Sequence, residues 1–154
     1  MTAFFRTAAL VALVAAAPAA AETLLTATAH GETRTYDRAA LEALPAETFE
    51  TSTIWTDGTQ TFTGVPLSAL MEELGIEAGT LTATAINDYA VEIPVADVLE
   101  DGPILAYEMD GAPMSRRDKG PLWIVYPYDA DPAFRTETVY ARSIWQLDEI
   151  SHTP

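Results

Sequence analysis

Asp110-Gly111-Ala112-Pro113-Met114-Ser115-Arg116-Arg117-Asp118-Lys119-Gly120-Pro121-Leu122-Trp123-Ile124-Val125-Tyr126-Pro127-Tyr128 brings cations, glycines and aromatics together inside a strongly acidic chain. Three of the eight Lys and Arg residues, Arg116, Arg117 and Lys119, fall within four positions of a polypeptide with 23 Asp and Glu and a net charge of −15. Self-repulsion favours cations dispersed among the anions, so a compact cluster beside an aromatic run points to a small polar or anionic ligand. The plainer alternative is a solvated turn in which Arg117 pairs with Asp118. On either side, Ile104 to Glu108 and Leu122 to Tyr126 are apolar and aromatic and read as strands flanking this cationic loop.

The N-terminal end is built differently. Met1 to Ala21 holds one cation, Arg6, then an apolar run from Ala8 to Ala17 and Pro18-Ala19-Ala20-Ala21 before Glu22. This reads as a secretory signal cleaved after Ala21, too short in its apolar part to span a bilayer, leaving residues 22–154 as a single domain. No second hydrophobic segment of spanning length follows, so the expectation is a periplasmic protein of a Gram-negative cell without membrane insertion. The chain has no cysteine, which excludes thiolate catalysis, thiolate metal ligation and disulfide support. Its acidity argues against nucleic acid and anionic membrane surfaces as partners.

Between these ends the pattern alternates strand and short helix. Thr23 to Ala29 reads as a strand, Tyr36 to Pro45 as a short helix with Asp37 as N-cap, and Glu47 to Trp55 as a strand. Asp57-Gly58 turns that strand into Thr59 to Thr63 as a hairpin. Leu67, Leu70, Met71 and Leu74 keep helical spacing, with Pro66 in the first turn and Gly75 as the stop. Thr80 to Ile86 and Tyr89 to Ile93 form a second hairpin around Asn87-Asp88, followed by a short helix from Pro94 to Leu99, and Ile144 to Ile150 closes the chain as a strand. Hairpins mixed with a few short helices predict an α+β domain on mixed or mostly antiparallel sheet.

Catalytic and metal patterns are sparse. His30 and His152 lie near opposite ends of the mature chain, and no ligand spacing for zinc or calcium, no nucleophile elbow and no phosphate loop occurs. What stands out is aromatics beside polar turns: Trp55 before Asp57-Gly58, Tyr89 after Asn87-Asp88, and Trp123, Tyr126 and Tyr128 after the cationic loop. Singly, such aromatics are core packing. Together they supply what a planar heterocycle requires: a face to stack on in Trp55, Tyr126 or Tyr128, an Asn87 or Asp88 to read an amino edge, and Arg116, Arg117 or Lys119 for its oxygens.

The ordered motifs Gly64-Val65-Pro66-Leu67, Asn87-Asp88-Tyr89, Asp110 to Met114, Lys119 to Pro127 and Ser143 to Ile150 resemble the molybdopterin-binding oxidoreductase domain of the sulfite-oxidase-like fold, over Tyr36 to Ile150. The resemblance implies that Asn87-Asp88-Tyr89 and Ser115 to Lys119 border a pterin cleft. It also implies a molybdenum-ligand cysteine within Thr51 to Thr56, where this chain has none. Enzymes of this kind are exported folded behind a twin-arginine signal, whereas Arg6 stands alone. Both departures disfavour the molybdenum cofactor. The segments Thr53-Ile54-Trp55, Val91 to Pro94, Arg117 to Trp123 and Tyr126-Pro127-Tyr128 are closer to a small periplasmic, cysteine-less branch. That branch binds free pterin and regulates, through its periplasmic domain, a membrane sensor enzyme of cyclic-di-GMP metabolism. Two other readings stand beside it: an oxidoreductase using Ser52 or Thr56 as a non-cysteine metal ligand, and a ligand-free acidic adaptor for a basic partner.

Overall fold

The computed structural model describes residues 21–154, so the signal sequence read over Met1 to Ala21 lies outside it except for its last residue. Strand β1 (Thr23–Ala29) sends Leu25, Ala27 and Ala29 into the core and its threonines outward. The two-residue turn His30-Gly31, with φ of 53° and 80°, reverses the chain into β2 (Glu32–Asp37). The helix expected from Tyr36 begins only at α1 (Arg38–Glu42), where the Asp37 carboxylate accepts the Ala40 N–H at 2.8 Å. Tyr36 belongs to the strand and is buried. Four of the six β2 residues are exposed at the sheet edge, so no apolar alternation announces it.

The hairpin β3 (Glu47–Ser52) and β4 (Thr59–Pro66) leads into α2 (Leu67–Glu73). Pro66 ends the strand as the helix N-cap instead of opening the first turn. The helix closes in a Schellman arrangement: Ile76 N donates to Met71 O, Gly75 N donates to Glu72 O, and Gly75 takes φ 68°. A second hairpin, β5 (Thr80–Ala85) and β6 (Ala90–Pro94), is followed by a single 3-10 turn at Val95–Asp97, shorter than the helix expected there. Then come β7 (Ile104–Met109), β8 (Ala112–Pro113), β9 (Trp123–Val125), α3 (Glu137–Arg142) and β10 (Leu147–Thr153). The closing strand starts three residues later than the sequence implies, because Gln146 takes φ 53° and breaks the extended run.

These strands form two five-stranded sheets. One has the order β2-β1-β10-β5-β6, in which only β1 and β10 run parallel; the other has β3-β4-β7, with β8 and β9 both paired to β7. Residues of both sheets meet in one hydrophobic core, among them Leu25, Leu81 and Ile150 from the first and Phe62, Leu105 and Trp123 from the second. Two close approaches need glycine. A Cβ on Gly64 would lie 2.1 Å from Leu105 O where β4 crosses to β7, and one on Gly120 would lie 1.9 Å from Met114 O inside the cationic loop. The result is the α+β architecture that the sequence predicts, with mostly antiparallel sheets and short helices. Among the described residues no helix is long and apolar enough to cross a membrane.

Candidate functional site

Strand β9 carries Trp123 into the core, fully buried and edge-on to Phe62 at 5.3 Å between centroids. Its indole N–H donates to Ser143 O at 3.2 Å, which fixes the start of the segment leading to β10. Above it stands Trp55, held in the β3–β4 connection by its own N–H, which Thr53 Oγ1 accepts at 3.0 Å. Trp55 meets Trp123, Tyr140 and Trp145 edge-to-face at 5.9, 5.8 and 5.5 Å. Such pairs prefer this geometry and hold one another without blocking every ring face.

Beside Trp55 opens a pocket of about 290 Å³. Trp55, Tyr89, Tyr140 and Trp145 supply aromatic surface, and Asn87 and Gln146 supply side-chain amides. Asn87 Oδ1 accepts the Tyr89 N–H at 3.2 Å, which leaves its amide N–H groups to donate elsewhere. Among the described residues no Lys or Arg lines the pocket.

The residues expected from the sequence separate accordingly. Trp55, Asn87 and Tyr89 are brought together in the pocket. Asp88, at φ 66°, forms the exposed corner of the β5–β6 turn and is not part of the lining. Arg116 points to Glu22, 2.7 Å away, and lines a separate cavity of about 550 Å³ with Arg38, Glu42 and Met114. Arg117 is exposed. Lys119 is largely buried, with Nζ 5.6 and 5.5 Å from the ring centroids of Trp123 and Trp145, so it backs the aromatic wall without lining the pocket.

Tyr126 and Tyr128, expected as stacking faces, are 3% and 2% exposed and lie under the site. The Tyr128 hydroxyl donates to Ser143 Oγ at 2.6 Å, and Ser143 Oγ donates to Val139 O at 2.8 Å, so this tyrosine anchors α3. Burial pushes the Tyr126 phenol up to about 12 and raises that of Tyr128 as well. The sequence reading missed Tyr140, Trp145 and Gln146 as pocket residues. Trp145 and Gln146 fall within Ile144 to Ile150, which reads as a plain closing strand, and Tyr140 lies on α3, which lacks a fully buried residue that would mark its inner face.

The segment expected to replace the missing cysteine is occupied by hydroxyl chemistry. Ser52 N and Oγ donate to the Asp129 carboxylate at 2.6 and 2.8 Å, and Thr53 and Thr56 share a hydrogen bond of 2.7 Å. The Ser52 donors hold the Asp129 carboxyl below the usual carboxylate range.

None of the curated proteins matches the sequence. The fold is similar to that in the crystal structure of the sulfane dehydrogenase SoxCD from Paracoccus pantotrophus, with a TM-score of 0.64 at 15% identity. The match covers 84% of this chain but only 38% of that one, so the present chain spans well under half the length of that protein. Residues 15–130 match the oxidoreductase molybdopterin binding domain, a span that includes Trp55, Asn87 and Tyr89 but ends before the pocket's second wall at Tyr140 to Gln146. With three quarters of its length in that match and the sulfite-oxidase-like architecture around it, the chain belongs to the oxidoreductase molybdopterin binding domain family.

Proposed function

We propose that this protein is a periplasmic pterin-binding protein without redox catalysis of its own, which relays pterin status to the periplasmic domain of a membrane sensor enzyme of cyclic-di-GMP metabolism. The observation that carries the ligand is the pocket beside Trp55, where aromatic walls meet two neutral amides and no cation. A flat ring with amino and oxo groups matches that surface, stacking on an indole while its edge exchanges hydrogen bonds with carboxamides.

The family's cofactor joins such a ring to a molybdenum dithiolene, and that half does not fit the residues present. The chain has no thiolate to complete a soft metal site. The hydroxyls available in its place are committed: Ser52 donates to Asp129 and Thr56 bonds Thr53. Among the described residues no three His, Cys, Asp or Glu side chains are grouped for a metal. The work left to this chain is to stack a heterocycle, read its edge and shield it from water.

The periplasmic address rests on the signal sequence read over Met1 to Ala21. The relay rests on the resemblance to the cysteine-less branch. Tyr89, 55% exposed at the pocket, and Ile54, 61% exposed on the neighbouring connection, are side chains that a protein partner would cover.

The test is mass spectrometry and elemental analysis of the small molecule released on denaturing protein purified from its native cell envelope. A metal-free pterin is expected. Stoichiometric molybdenum would overturn the proposal in favour of an oxidoreductase, and a protein that neither carries nor takes up any pterin would leave the acidic adaptor.

A further inference from the structure

Gln146 is the one lining residue of the pocket that combines a left-handed backbone with bonds to both neighbouring loops. Its φ of 53° is a conformation that side chains with a Cβ rarely adopt, and such residues persist where the surroundings over-determine them. Here three hydrogen bonds do so. Gln146 N donates to Lys119 O at 3.0 Å, Gln146 Nε2 donates to Arg116 O at 2.6 Å, and Gln146 O accepts the Ile86 N–H at 2.9 Å. One residue thereby ties the cationic loop, at two of its carbonyls, to the turn that carries Asn87 and Tyr89. It lies outside residues 15–130, so the family match assigns it nothing.

We propose that Gln146 is the specificity-determining residue of this pocket. The proposal rests on the pterin reading above and adds how the ring is told from its analogues. The bond from Nε2 to Arg116 O anchors the amide, and its Oε1, which accepts no hydrogen bond from the described residues, is the acceptor the side chain offers. Asn87 is its complement: with Oδ1 on the Tyr89 N–H, its Nδ2 is the group left to donate. One acceptor and one donor in the same pocket select a ring edge that presents an amino group and an oxo group. The 2-amino-4-oxo edge of a pterin does this. Lumazine, of the same shape with oxo groups at both positions, turns an oxygen toward Oε1 and leaves both acceptors unpaired, and sites built around hydrogen bonds discriminate most strongly in such cases.

The variant that isolates the side chain is Gln146→Gly. Glycine accepts φ 53° freely, so the backbone bonds to Lys119 and Ile86 are kept while Oε1 is deleted. Calorimetric titration with 6-hydroxymethylpterin and with lumazine, beside thermal denaturation, reads the outcome. Wild type is expected to prefer the pterin by about tenfold. Gln146→Gly should lose most of that preference, binding the pterin more weakly and lumazine no more weakly than wild type does, and unfold within a few degrees of wild type. Retained preference in the variant overturns the assignment and leaves the pterin reading intact. Equal weakening for both ligands with a large drop in Tm overturns it as well, in favour of a merely structural role. Wild type that binds neither ligand overturns the pterin reading and this assignment with it.

Discussion

Arg116 and Lys119 sit three positions apart on one loop, carry the same charge, and do different work. Arg116, with 49% of its side chain exposed, forms a solvent-facing ion pair with Glu22. Lys119 is 17% exposed and holds its ammonium against the rings of Trp123 and Trp145, with Asp118 at the edge of reach at 3.5 Å. A charge at the surface is screened by water and salt, whereas one against desolvated aromatic faces is not. The sequence presents the cluster as one patch; the structure divides it into a surface tether and a brace for the aromatic site.

The comparison can be broken most severely from the buried side. Trp123→Ala removes the residue on which Trp55, Trp145 and Lys119 all rest, and a loss of about 3–5 kcal/mol is expected in chemical denaturation. A wild-type-like midpoint would show that the aromatic end is no better anchored than the tether.

High pH attacks the same end. The Tyr126 phenol is raised above its unfolded value of 10.0 to about 12, so the folded state keeps a proton that the unfolded chain releases. Stability is therefore full below pH 10 and falls as pH climbs toward 12, by about 2–3 kcal/mol for this phenol. Tyr128 acts in the same direction. Tyr126→Phe should flatten the decline in Tm measured between pH 9 and 12, and an unaltered slope would count against burial as its cause.

Replacing the cations separates the two ends directly. Lys119→Met is expected to cost about 1–2 kcal/mol and to change tryptophan fluorescence, since the cation leaves two indole faces. Arg116→Met should cost below about 0.5 kcal/mol, and 1 M salt should erase the difference from wild type. Similar losses at the two positions would dissolve the distinction.

How far the sequence revealed this arrangement follows from where each signal is local. Strand β1 is legible because Leu25, Ala27 and Ala29 alternate, and α2 because Leu67, Leu70 and Met71 share a face and Gly75 ends it. Strand β2 is not, since an edge strand needs few apolar residues, and His30-Gly31 makes a tight turn without the Asn-Gly or Asp-Gly pair that marks one. Around the pocket, Trp55, Asn87 and Tyr89 are legible because aromatics beside polar turns are visible along the chain. Gln146 and Trp145 were hidden because their part depends on a φ reversal and on a loop thirty residues upstream. Tyr126 and Tyr128 look like stacking faces in the sequence because composition cannot distinguish a ring lining a pocket from one lying beneath it.

The parallel pairing of β1 with β10 makes the last strand the hinge pin of the first sheet. The β1–β2 and β5–β6 hairpins meet only through β10, at Thr26 to Thr28 on one side and at Leu147 to Thr153 on the other. Without the residues after Gln146 the two hairpins of this sheet stand unjoined, with their inner edges open. Pairing β1 with β10 joins residues more than a hundred positions apart, so the sheet's central seam carries the costliest loop closure of the fold, while the hairpins it unites close locally.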